Sequence, residues 1–67
     1  MSDLFPEALP DLAAQVKEVR REIAQRERAY PRFVSNGMLS QAAADRQMTV
    51  MRAVLHTLTD LQNQGGT

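Results

Sequence analysis

Apolar residues in the first half of the chain recur at the spacing of a single helical stripe. Intervals of four, three, four and seven residues separate Leu12, Val16, Val19, Ile23 and Tyr30. At about 100° of rotation per residue these side chains share one narrow face, so the pattern predicts an amphipathic helix over residues 11–29. Pro10 suits the first position of this helix, and Asp11 would complement the positive end of its dipole.

The second half of the chain is apolar over a wider arc. One stripe consists of Ala44, Met48, Met51, Leu55 and Leu58, and a second stripe beside it consists of Ala43, Val50, Val54 and Leu61. Together they span roughly 160°, which exceeds the arc of about 100° that packing on one neighbouring helix requires. Ser40 can cap the start of this segment and no Gly or Pro follows before Gly65, so the pattern predicts a second helix over residues 41–62.

Residues 30–40 separate the two predicted helices and form the predicted hinge. Pro31 cannot donate a backbone hydrogen bond, and Gly37 can adopt the positive φ that often ends a helix. The sequence therefore predicts an all-α fold, an antiparallel helical hairpin over residues 11–62. Residues 1–10 are predicted to form an N-terminal arm, and residues 63–67 a disordered tail.

The second stripe of the second helix needs a partner that the first helix cannot supply. We expect two hairpins to dimerise into an antiparallel four-helix bundle. The residues predicted to form this dimer interface are Val50, Met51, Val54, Leu58 and Leu61. The alternative is that a foreign protein covers the same face.

Composition narrows the candidate chemistry. The chain has 67 residues, no Cys, one His, and eight basic residues against eight acidic ones. A chain of this length buries only about 60% of its unfolded surface, and its marginal core favours association with another chain. We find no catalytic constellation, no set of metal ligands and no cofactor motif, so the sequence predicts a protein that is not an enzyme. No segment has the roughly 20 apolar residues that cross a bilayer, and we expect a cytoplasmic protein.

The hinge and the adjacent helix combine aromatic and arginine side chains, which are enriched in binding hot spots. The residues predicted to contact a partner are Arg21, Arg28, Tyr30, Arg32 and Phe33. A structural alternative is that Phe33 and Val34 close the end of the bundle while Tyr30 completes the helix seam. A further alternative is nucleic-acid binding through the basic flank of the first helix, formed by Lys17, Arg20, Arg21, Arg28 and Arg32.

Several segments around the hinge resemble small helical-hairpin proteins of phages and prophages. The resemblance covers residues 18–58 and rests on Arg-Glu-Ile-Ala at 21–24, Tyr-Pro-Arg-Phe-Val at 30–34, Gly37, Leu-Ser at 39–40 and Ala-Asp at 44–45. A phage protein of similar size and inferred shape is the quorum-sensing anti-activator, which inhibits a host transcription regulator and a pilus-assembly ATPase. The resemblance implies a dimeric hairpin that binds and inhibits or modulates a protein in the cytoplasm of the host cell.

Overall fold

Two α-helices and the turn between them make up the fold. The computed structural model describes residues 9–65 and contains α1 (Leu12–Ser35) and α2 (Gln41–Gly65), which pack against each other. Residues 36–40 reverse the chain direction between the helices. The structure thus confirms the predicted all-α antiparallel hairpin. Residues 1–8 of the predicted arm and residues 66–67 of the predicted tail lie outside the described residues.

The first helix begins one residue later than predicted, because Asp11 is its cap. The Asp11 backbone is extended, and Oδ1 of its side chain accepts a hydrogen bond of 2.8 Å from the backbone N–H of Ala14. This bond satisfies one of the donors that a helix start leaves without an intrahelical partner. Just before the cap, the carbonyl of Pro10 accepts a 2.7 Å hydrogen bond from Nε2 of Gln15.

The predicted end of α1 at residue 29 is wrong, because the helix continues through Pro31 to Ser35. Pro31 has no N–H to donate to the carbonyl four residues earlier, so one helical hydrogen bond is missing there. The backbone nevertheless resumes helical bonding, and the N–H of Asn36 donates to the carbonyl of Arg32 at 3.0 Å. Proline disfavours the helix only locally. The packing of the half-buried side chains in the last turn, including Val34, outweighs this cost.

The turn is a compact helix-ending motif centred on Gly37, which has φ of 82°. The N–H of Gly37 donates to the carbonyl of Val34 at 3.1 Å, and the N–H of Met38 donates to the carbonyl of Phe33 at 2.9 Å. These two bonds form the Schellman motif, which requires a residue with positive φ. The hinge predicted over residues 30–40 is therefore too long, and the chain reverses only after Asn36.

The start of α2 follows the prediction. Oγ of Ser40 accepts a 3.0 Å hydrogen bond from the N–H of Ala43, and the carbonyl of Ser40 accepts the N–H of Ala44 at 3.0 Å. The helix then continues to Gly65, three residues past the predicted end. Residues 63–65 are therefore helical rather than part of a tail.

The core lies in a single line between the helices. The buried apolar side chains are Val16, Ile23, Ala44 and Met48, with 4–8% of their surface exposed. Within residues 9–65 no side chain is completely buried. Two helices can cover each other only along one stripe, so the hairpin leaves most of its apolar surface at least partly in contact with water.

Candidate functional site

Tyr30 faces the second helix. It follows Ile23 by seven residues, and because α1 continues past this point both side chains occupy the seam toward α2. The Tyr30 hydroxyl donates a 2.8 Å hydrogen bond to Oε1 of Gln47, and the residue is half-buried. Tyr30 therefore completes the interhelical seam, as the structural alternative expected.

A groove of about 470 Å³ opens beside Tyr30, between the two helices. An ion pair spans it, in which the Arg52 guanidinium lies 3.0 Å from a carboxylate oxygen of Glu27. The lining side chains carry both charges, because Arg26 and Asp45 also contribute to the wall. We call this feature the interhelical groove. Its lining mixes apolar side chains with charged side chains of both signs, so it does not favour a ligand of one strong charge.

Arg28 and Arg32 lie on the side of α1 that faces away from α2. They are one helical turn apart, and each lies about 160° around the helix from Tyr30. Both are exposed, and neither forms an ion pair within residues 9–65. With Lys17 and Arg20, which are likewise exposed without an ion pair in that range, they form what we call the basic face.

Arg21 also points toward the basic face, but its charge is engaged. Its guanidinium donates a 2.8 Å hydrogen bond to Oε2 of Glu18, and both side chains are well exposed. This hydrogen bond raises the pKa of Arg21 above its ordinary value. Glu18 precedes Arg21 by three residues, a spacing that lets the two side chains pair along the helix surface.

The five residues predicted to contact a partner therefore do not share one surface. Arg28 and Arg32 lie together with Arg21 on the exposed side of α1, whereas Tyr30 faces α2. Phe33 is half-buried near the closed end of the hairpin. The predicted cluster assumed that the chain turns at Pro31, and the continuous helix separates its aromatic members from its arginines.

The residues predicted to form a dimer interface divide into two groups. Met51 and Leu58 are half-buried, because they belong to the stripe that faces α1. Val50, Val54 and Leu61 point outward and have 56%, 39% and 46% of their surface exposed. Beside Val50 and Val54 a shallow apolar depression of about 270 Å³ runs along α2.

Two further pairs of ionisable side chains lie on the helix surfaces. Oε1 of Glu22 accepts a 3.0 Å hydrogen bond from Nε of Arg26, four residues later, and this bond raises the pKa of Arg26. Nε2 of His56 lies 3.5 Å from a carboxylate oxygen of Asp60, and both are exposed. Among residues 9–65 no three His, Asp or Glu side chains converge to hold a metal ion, and neither helix could cross a membrane.

The sequence prediction missed the interhelical groove. Its walls include Gln41, Asp45 and Arg52, which face α1 only because Tyr30 and Val34 continue the seam begun by Ile23. The signal was present in the sequence, since Val34 follows Tyr30 at the four-residue spacing of that seam. The prediction missed this continuation because Pro31, which lies between the two residues, disfavours a helix.

The fold and the site together define a two-helix hairpin with an apolar face on α2 and a basic face on α1. The chain matches no protein-family model, no curated protein and no solved structure. The two surfaces of the hairpin are therefore the features that bear on its function.

Proposed function

We propose that this hairpin is a non-enzymatic protein–protein interaction module, encoded by a phage, that binds and inhibits or modulates a host protein such as a transcription regulator. In this proposal the protein acts in the host cytoplasm as a homodimer. The observation that carries it is the exposed apolar stripe of α2. Val50 lies in this stripe and is 56% exposed, although α2 packs on α1 along its other stripe. Apolar side chains aligned in this way indicate a protein contact.

The basic face supports a second contact, separate from the dimer. Arg28 and Arg32 are exposed, lie one turn apart and have no carboxylate partner within the described part of the chain. Arginine is one of the residue types most enriched in binding hot spots, because its planar guanidinium can bind a carboxylate through two hydrogen bonds. We therefore propose that the basic face binds an acidic surface of the host protein.

A pull-down from host lysate, with and without nuclease, tests this proposal. We expect the wild-type chain to recover one defined protein regardless of nuclease, and the variant with Arg28→Glu and Arg32→Glu to lose it. The matched control carries Arg28→Lys and Arg32→Lys, which keeps the charge but not the bidentate hydrogen bonds, and should retain part of the binding. Equal recovery by the wild type and the Glu variant would exclude the basic face as the contact.

The alternative function is nucleic-acid binding through the basic face. It is favoured by one observation: Lys17, Arg20, Arg28 and Arg32 are all exposed along one helix without ion pairs within residues 9–65. Contacts of this kind with phosphates release counterions, so the affinity should fall steeply with salt. Fluorescence anisotropy with duplex and single-stranded DNA tests it. The variant with Arg20→Glu and Arg21→Glu should then bind much more weakly, and no measurable binding of the wild type at low salt would exclude this function.

A further inference from the structure

The outward stripe of α2 has the spacing of a coiled-coil seam. Successive intervals of four, three, four, three and four residues separate Ala43, Gln47, Val50, Val54, Thr57 and Leu61. This alternation keeps one narrow line of side chains facing a partner helix. Over 18 residues, the line is about 27 Å long. We call it the outer seam, to distinguish it from the stripe of α2 that packs on α1.

The outer seam is complementary to itself when it is reversed. If a second α2 packs antiparallel around a two-fold axis near the middle of the seam, Val50 meets Val54 of the second copy. Gln47, whose Oε1 accepts the Tyr30 hydroxyl of its own chain and whose amide N–H groups stay available, then meets Thr57 of the second copy. Ala43 meets Leu61 of the second copy. Each layer thus pairs β-branched with β-branched, polar with polar, or small with large side chains.

A parallel, in-register arrangement lacks this complementarity. It would place the two Ala43 side chains against each other and the two Leu61 side chains against each other. One end of the interface would then be too small and the other too large, and layers of uneven volume pack poorly. The order of residues in the outer seam therefore favours the antiparallel arrangement.

The charges beside the outer seam obey the same symmetry. Arg46, Ala53 and Asp60 follow each other at intervals of seven residues and flank one edge of the seam. In the antiparallel arrangement Ala53 lies at the two-fold axis against its own copy. Arg46 then faces Asp60 of the second copy, and the symmetry creates this pair twice. Arg46 is exposed and has no ion pair within the described part of the chain.

We propose that a second copy of this chain covers the outer seam, antiparallel to the first, with the two-fold axis passing beside Ala53. The two α2 helices form the centre of the dimer, and each α1 packs on its own α2 at the outside of a four-helix bundle. The proposal deepens the dimer part of the proposed function. It does not depend on the basic face. The variants of Arg28 and Arg32 test binding of the host protein, whereas the variants described next test the dimer, so either result can be negative without the other.

Charge exchange across the axis tests the arrangement. Each of the single variants Arg46→Asp and Asp60→Arg replaces two attractive contacts by two repulsive ones, and we expect its dimer affinity to fall about tenfold or more. An equimolar mixture of the two should form heterodimers with near wild-type affinity, because one chain then carries acidic and the other basic residues at both positions. Sedimentation equilibrium at low salt measures the dimer affinity of each single variant and of their mixture.

Two control variants separate this effect from changes within one chain. Asp60 also lies 3.5 Å from His56 of its own chain, so His56→Gln removes that contact and should leave the dimer affinity unchanged. Arg32→Glu reverses a charge on the basic face and should also leave it unchanged. A monomeric wild-type protein at micromolar concentration, or a mixture that associates no better than the single variants, would overturn the proposal.

Cross-linking determines the direction of the second copy. The chain has no Cys, so Ala53→Cys introduces a single thiol at the proposed axis. We expect a short bis-maleimide to convert this variant to covalent dimers. The matched control is Ala42→Cys, also at an exposed alanine of α2. In the antiparallel dimer its two thiols lie about 30 Å apart along the axis, 20 residues at 1.5 Å each, and should not react together. Efficient cross-linking at residue 42, or none at residue 53, contradicts the arrangement.

Discussion

Gly37 decides where the chain reverses. Its φ of 82° lies in the left-handed region, and the N–H groups of Gly37 and Met38 satisfy two carbonyls at the end of α1. Asp11 and Ser40 act at the opposite ends of the helices, where each accepts a backbone N–H of the first turn. Single residues thus set three of the helix boundaries through backbone hydrogen bonds, independently of the core.

We predict that Gly37→Ala lowers the free energy of unfolding by about 1 to 2 kcal/mol, the cost of a left-handed conformation for a residue with a Cβ. No atom lies within 4 Å of that Cβ, so backbone strain alone causes the loss. Urea denaturation measures it.

The control for this change is Gly65→Ala, which also places its Cβ in open space but has no positive φ. It should leave stability unchanged or slightly higher, because alanine favours helix. Equal effects of the two variants would show that the left-handed conformation of Gly37 is unimportant.

At the scale of the helices, Pro31 lies inside α1 without ending it. The helix continues for four residues after it, to Ser35, and these residues carry the seam to the turn. This continuation places Tyr30 against α2 and leaves Arg28 and Arg32 on the outside. The position of the turn, not the proline, therefore sorts the predicted contact residues into different surfaces.

We predict that Pro31→Ala stabilises the hairpin, by about 2 kcal/mol. The alanine N–H can complete the missing helical hydrogen bond, and the gain exceeds the smaller loss from a more flexible unfolded chain. Helix content by circular dichroism should change little, and the urea midpoint should rise.

Pro10→Ala is the matched control, because Pro10 precedes the helix cap and keeps its carbonyl as an acceptor for Gln15 after substitution. It should change stability by less than about 0.5 kcal/mol. A lower midpoint for Pro31→Ala would mean that the proline stabilises the helix end in a way that the hydrogen bonds do not show.

At the scale of the whole molecule, a single row of buried apolar side chains packs between the helices, and polar contacts lie beside it. Val16 and Ile23 of α1 and Ala44 and Met48 of α2 are buried, and the Tyr30–Gln47 hydrogen bond and the Glu27–Arg52 ion pair link the helices on their surface. Burial of apolar surface dominates such a balance, since exposed ion pairs contribute little.

We predict that Ile23→Ala lowers the free energy of unfolding by about 2 to 4 kcal/mol, because the side chain is 8% exposed and its removal leaves a cavity in a thin core. Thermal and urea denaturation at one fixed protein concentration measure the loss, since association would add a concentration term. Gln25→Ala, two residues away and exposed, is the control and should be nearly neutral.

The interhelical ion pair should contribute far less. We expect Glu27→Gln to cost under about 1 kcal/mol, because both side chains are more than half exposed, at 53% for Glu27 and 59% for Arg52. The cost should vanish in about 1 M salt, which screens exposed charges. Combining Glu27→Arg with Arg52→Glu restores a pair and should return stability toward that of the wild type. A larger, salt-independent loss would show that Glu27 has a structural role besides its charge.

The sequence by itself determined the two helices, their antiparallel hairpin and the cap at Ser40, because hydrophobic spacing and short-range hydrogen bonds depend on residues close together in the chain. It also showed that α2 is apolar on two sides. Only the tertiary structure decided that α1 passes through Pro31, because the packing of its last turn on α2 outweighs a local preference. That packing also decided that Tyr30 faces inward, that the arginines predicted to join it face outward, and that Val50, Val54 and Leu61 remain exposed. Which side chains share a surface depends on where the chain turns and on what the second helix covers.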